Sequence, residues 1–179
     1  MTDPPVLLRE LRAATGAAHR ALEARTGADR ILDRRLEPAE YRRILDWQAR
    51  AHAALEPLVI GYSGHDYRPR GGLLPAVTAP EPPAEPALRH PLAAPGILYV
   101  LEGGSLGGAV IHRHLMANDR LVGERPFTFY AWQAREGVGQ WRAFLGHLRQ
   151  RNFAPADRAA AVAAANAAFA LFARQWEGA

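Results

Sequence analysis

His19 and Glu23 stand four residues apart in the stretch LRAATGAAHRALE. On a helix that spacing makes them neighbours on one face. A carboxylate on one imidazole nitrogen fixes the tautomer and raises the basicity of the other, as around a metal-ligating histidine. Arg12 precedes His19 by seven residues. At about 100° per residue it points within about 20° of His19, so it can hold an acidic group of the same ligand. The same spacing also suits a plain surface contact on a helix that buries another stripe.

A second stretch, EGGSLGG at residues 102 to 108, puts four glycines between the helix-forming segments ILYVL and AVIHRHLM. Each glycine in a helix costs roughly 1 kcal/mol relative to alanine. On an ideal helix Gly103, Gly107, Gly104 and Gly108 fall at about 0°, 40°, 100° and 140°, one contiguous bare face. Such a face serves close helix packing on small residues, or a flat ligand lying against exposed backbone. The spacing matches neither G-x-G-x-x-G nor a phosphate loop, since Ala109 follows Gly108. His112 and His114 are two apart and do not share a helix face. His52, His65, His90 and His147 show no ligand-type partner at a suggestive spacing. Ser63 and Ser105 are the only serines, and neither sits in a nucleophile elbow.

The composition narrows the chemistry. None of the 179 residues is cysteine, and the 22 basic residues are all arginine. Thiolate chemistry, Schiff bases and a phosphate-binding lysine are thereby excluded. The net charge of +4 is dispersed, as in RTGADRILDRRLEPAEYRR. That pattern fits a solvated mixed-charge surface or a basic rim for an acidic partner, and no arginine run interleaves with aromatics as nucleic-acid binding requires. MTDPPVLLRELR resembles no signal peptide, and no window approaches 18 uninterrupted apolar residues. The expectation is a soluble cytoplasmic protein that binds neither nucleic acid nor membrane.

Helical periodicity organises these residues, with no convincing strand. The first helix is expected from about Pro5 to Arg25, stopping near Gly27. The second starts at Pro38 and ends before Pro57. Residues 61–95 read as an irregular Pro/Gly-rich connection inside one domain spanning 1–179. A third helix from Gly96 to about Ala117 carries the glycines. After the loop RLVGERPFTFY a fourth is expected from Gly139 to Arg151, and a last one from near Pro155, with Asn152 as its cap. The class is an all-α helical bundle.

In this order, LRAATGAAHRALE and GILYVLEGGSLGGAVI resemble the biliverdin-producing haem oxygenases, most closely the bacterial, bacteriophytochrome-associated type. AEYRRILDWQARAHAALEPL, PFTFYAWQ, GQWRAFLGHL and AANAAFALFARQW extend the likeness over most of the chain outside 61–95. The resemblance implies a haem-oxygenase-like helical bundle with haem as cofactor and substrate. It implies cleavage to biliverdin, carbon monoxide and iron with dioxygen and electrons from a ferredoxin or flavoprotein reductase, and a bacteriophytochrome as bilin acceptor. By the same likeness His19 matches the iron ligand and Glu23 its hydrogen-bonding acid. Arg12 falls at a propionate contact and Thr15 at the motif threonine. Gly103, Gly107 and Gly108 match glycines of the distal helix. Gly104 stands where mammalian members carry an aspartate of the proton relay. That departure leaves open a haem carrier or sensor without turnover. For a second propionate, Arg142, Arg149 and Arg151 have no motif to choose among them. A helical scaffold using the glycine face for protein contacts is the rival from outside haem chemistry.

Overall fold

The computed structural model describes residues 3–78 and 81–178, all helical or irregular, with no strand among them. The helices are α1 (Val6–Thr26), α2 (Ala28–Leu32), α3 (Pro38–Leu55), α4 (Pro86–Arg89), α5 (Ala94–Gly103), α6 (Gly108–Met116), α7 (Thr128–Gln150) and α8 (Pro155–Glu177). Leu7, Leu8 and Leu11 of α1 are buried, and the helix ends where Gly27 turns left-handed at φ +68° and donates its N–H to the Glu23 carbonyl. α3 starts at Pro38, with Glu40 reaching back to the Glu37 amide at 2.8 Å. The first turn of α8 is held the same way by Asp157 on the Ala154 amide, so Ala154 rather than Asn152 is its cap.

Two boundaries depart from the sequence expectation. The expected third helix is split into α5 and α6, with residues 104–107 forming turns between them. The fourth begins at Thr128, eleven residues before Gly139. Gly137 interrupts the apolar spacing of its first half in the sequence. In space Gly137 is small because α7 meets Ser105 there: a Cβ on Gly137 would lie 2.7 Å from the Ser105 carbonyl oxygen. Phe129, Tyr130, Gln133 and Gly137 are all buried along this half, a spacing that follows the helical period once the glycine is counted as a contact.

α8 is the central strut. Its alanines 161, 164, 165 and 168 are fully buried, and this small-residue stripe lets α5 approach backbone to backbone. Ala94–Met116 and Pro155–Glu177 are long and apolar enough to cross a membrane by composition, yet α5 and α8 spend much of their apolar surface on each other and on the core. Residues 61–95 are largely irregular, as expected, with short turns at Gly71–Leu73 and Pro86–Arg89.

The α5–α8 contact is tightest at Gly96, where a Cβ would sit 1.9 Å from the Ala161 carbonyl oxygen. Gly96→Ala therefore forces the two helices apart. The expected cost is roughly 3 kcal/mol, or about 6–12 °C in Tm for a chain of this size, measured by thermal denaturation.

Candidate functional site

A cavity of about 490 Å³ opens between α1, α3, the α5–α6 joint, α7 and α8, in the size range of small-molecule and cofactor sites. His19 lines it from α1. Its Nδ1 lies 3.3 Å from Glu23 Oε2, and among the described residues Nε2 has no protein partner. The ring packs edge-on to Phe169 of α8 at 5.9 Å, so the imidazole is steadied by a neighbouring carboxylate and an aromatic ring. Arg12 also lines the cavity, and no carboxylate pairs with it among the described residues.

The glycine stretch resolves into two functions. Gly103, Gly104 and Gly107 line the cavity. A Cβ on Gly103 or Gly107 would make only ordinary contact, with Trp141 at 3.7 Å and Ile111 at 3.6 Å, whereas one on Gly104 would press on the Val100 carbonyl oxygen at 3.3 Å. Backbone strain is not the reason for glycine here. Gly104 at φ −59° and Gly107 at φ −76° have dihedrals any residue adopts, and Gly27 and Gly61 are the positive-φ glycines. These three positions keep space open in the cavity. Gly108, expected on the same face, is not there: it is buried against α7, where a Cβ would lie 2.3 Å from Gln133 Cβ. The turns between α5 and α6 break the ideal 100° progression, which rotates Gly108 away from its neighbours.

Thr15, expected among the cofactor-binding residues, does not line the cavity. Its side chain is buried behind the cavity wall, donating to the Leu11 carbonyl at 2.8 Å and meeting the Tyr99 hydroxyl at 3.4 Å. Tyr99, not Thr15, faces the cavity. Neither Arg142, Arg149 nor Arg151 lines it. Arg149 and Arg151 lie instead in a separate cleft between the start of α1 and the α7–α8 turn.

The structure adds a histidine that spacing should have exposed. His52 lines the cavity and is buried, with Nδ1 2.9 Å from Glu56 Oε1. This is the same four-residue spacing as His19–Glu23. Glu56 also accepts from the Tyr67 hydroxyl at 2.8 Å and from the amides of Arg70 and Gly71 at 2.6 and 3.1 Å. Burial holds His52 below its ordinary value, outweighing the opposing pull of Glu56. Burial also pushes Glu56 upward, but the donors from His52, Arg70 and Tyr67 together keep it below the usual carboxylate range. The pair is a neutral imidazole donating to a carboxylate. The network continues to Glu102, the first residue of the glycine stretch, which is fully buried between Arg70 and His65. Arg70 and His65 come from the irregular connection and carry no local signal of burial. Gln133 also lines the wall, and its Oε1 is buried with no hydrogen-bond partner among the described residues.

A family model described as "Heme oxygenase" matches residues 52–177. A curated protein named heme oxygenase, from Xanthomonas campestris pv. campestris (strain 8004), is 44% identical over 77 residues, which make up 43% of this chain and 46% of that protein. The match thus spans about half the length of that relative. Among solved structures, the NO- and CO-bound heme oxygenase from Neisseria meningitidis superimposes with a TM-score of 0.75 at 24% identity, covering 96% of this chain and 90% of that one. That likeness shows the fold. Because the family match begins at His52, Arg12, His19 and Glu23 stand on geometry.

Two measurements check this geometry. A histidine held below 6.5 binds its proton more weakly folded than unfolded, so its contribution to stability is present above pH 6.5 and is lost as pH falls through that value. The depressed Glu56 adds a loss below pH 4.5. The Tm of the protein is expected to fall between pH 7 and 5, and less steeply in His52→Gln, which keeps a donor for Glu56. His147, also held down by burial, titrates alike in both proteins and cancels in the comparison. Separately, Gly108→Ala should lower stability by about 2–3 kcal/mol through overpacking, whereas Gly107→Ala should leave Tm unchanged or raised.

Proposed function

The chain belongs to the haem oxygenase family, and from that premise we propose that it cleaves the haem macrocycle with dioxygen and electrons to biliverdin, carbon monoxide and iron. One observation carries the reading: a cavity that a histidine with a free Nε2 enters from α1, and that three glycines keep clear of side chains from α5 and α6. The residues fit a flat, iron-bearing, acidic ligand. His19 is the one imidazole in the wall with a half-exposed ring and a carboxylate on its other nitrogen. Arg12 supplies an uncompensated cation for a propionate.

When bound, haem supplies the iron and the conjugated ring on which dioxygen and electrons act. The remaining chemistry falls to this chain. His19 holds the iron through Nε2, and Glu23 fixes its tautomer at Nδ1. Gly103, Gly104 and Gly107 leave room for a small ligand beside backbone, where a side chain would fill the space. With no acid at Gly104, His52 is the member of the buried polar network that lines the cavity. Neutral and donating to Glu56, it presents Nε2 as an acceptor that can orient a water in the cavity. Gln48, one turn earlier on α3, lines the same wall. Gly108 and Thr15 support this site from behind: one lets α6 seat on α7, the other backs Tyr99. A ferredoxin or flavoprotein reductase is the proposed electron donor, a bacteriophytochrome the proposed acceptor of the bilin, and the cytoplasm the proposed compartment.

Titration of the purified protein with haemin is expected to give a Soret band with one haem per chain. His19→Ala should abolish or strongly shift that band without loss of helical circular dichroism. With reductant and air the band should bleach while a biliverdin absorption grows. A haem spectrum that persists unchanged under those conditions would reduce the function to haem carriage.

A further inference from the structure

We infer that Arg70 is the positioning residue of the glycine joint: its buried guanidinium takes the helix carbonyl that would otherwise continue α5, and so sets which face of residues 103–107 meets the cavity. In an uninterrupted helix the Leu101 carbonyl accepts from the Ser105 amide. Here Ser105 donates to Glu102 at 3.1 Å instead, and the Leu101 carbonyl accepts from Arg70 Nη1 at 2.6 Å. The next bonds are also short-range, Leu106 to Gly103 at 3.1 Å and Gly108 to Ser105 at 3.0 Å. Each residue held by such a three-residue bond turns the chain by about 120° rather than about 100°. Three such residues rotate the start of α6 by about 60° relative to a continuous helix. That rotation brings Gly107 onto the face that already carries Gly104 and seats Gly108 on α7.

Arg70 is built for this task. It is the largest fully buried side chain, at 0% exposure. Its second guanidinium nitrogen pairs with the Glu102 carboxylate, itself fully buried. The guanidinium plane lies over Trp132 of α7 at 4.7 Å and over Tyr67 at 5.1 Å. The Arg70 amide donates to Glu56, the carboxylate that holds His52. One residue of the irregular connection therefore fixes the end of α5, the adjoining turn of α7 and the polar end of α3. Glycine makes the joint permissible, while the arginine gives it one geometry. The planar fork matters: a carbonyl and a carboxylate are held at once, which an ammonium does not reproduce.

The consequence for haem rests on the proposed function, and the test separates the two. Arg70→Lys keeps the buried charge beside Glu102 but loses the fork. Arg70→Met with Glu102→Gln removes both charges together, so neither is left unpaired. In the apoprotein both variants are expected to keep a dispersed amide NMR spectrum, with shift changes concentrated at residues 101–108. Haemin affinity should fall by about tenfold or more, and Arg70→Lys should be the milder of the two. If the double variant fails to fold, Arg70→Lys alone decides. Parent-like resonances at 101–108, or parent-like haemin affinity in a folded variant, would overturn the inference. So would loss of the folded state in Arg70→Lys, which would mark the arginine as a folding element only. If the joint resonances move as expected but the parent itself takes up no haemin, the positioning role stands and the haem reading falls.

Discussion

The cavity depends on one wall being made of backbone. At Gly103, Gly104 and Gly107 the chain is in ordinary helical or turn dihedrals, so a Cβ is excluded by the need for open space and not by strain. Bare backbone at a cavity is costly in helix propensity, and it needs support, because nothing in a glycine run selects one conformation over another. That support comes from three directions. α7 closes on Gly108 and Ser105, α8 carries α5 on its alanine stripe, and the Arg70–Glu102 pair anchors the run from beneath. The proposed haem chemistry requires a site open enough for a flat ligand and a diatomic molecule, yet fixed enough to hold both in one orientation. A permissive wall over an over-determined foundation meets both demands.

The two histidine–glutamate pairs show how environment divides one motif into two tasks. His19–Glu23 and His52–Glu56 share a four-residue spacing, and both histidines line the same cavity. His19 is more than half exposed with a single carboxylate contact, so its free nitrogen is available to a ligand at little desolvation cost. His52 is buried, which keeps the imidazole neutral, and its carboxylate, satisfied by four donors, holds the ring in place. An exposed basic nitrogen suits metal ligation, while a buried neutral one suits orienting water. The absence of an acid at Gly104 thus coincides with a polar network reaching the cavity from α3.

Much of the architecture is legible in the chain. The all-α class, the ends of α1 and the start of α3 follow from apolar spacing, Pro38 and Gly27. So do the His19–Glu23 neighbourhood and the openness of the glycine face, because each depends on local geometry that 3.6-residue periodicity carries. The misreadings share a cause. The first half of α7 is hidden because Gly137 interrupts the apolar spacing until Ser105 is seen resting on it. Gly108 and Thr15 fall on expected site positions, but a break in helical phase and a buried hydroxyl turn them toward their neighbours. His52–Glu56 is readable by the same rule as His19–Glu23 and lacks only a reason to place it at the cavity.

The sequence by itself determined the all-α class, the extents of α1 and α3, the candidate ligating histidine and the places where side chains had to be missing. Those are properties of residues within a few positions of one another, where backbone geometry fixes which side chains meet. Tertiary structure alone decided which glycines face the cavity, that His52 joins it, and that an arginine from a proline-rich connection lies fully buried beneath it. Arg70 and Glu102 are separated by 32 residues, and no period links them. A buried cation is tolerable only where the fold delivers a carboxylate, a carbonyl and aromatic faces to it at once, and that coincidence exists only after the helices have packed.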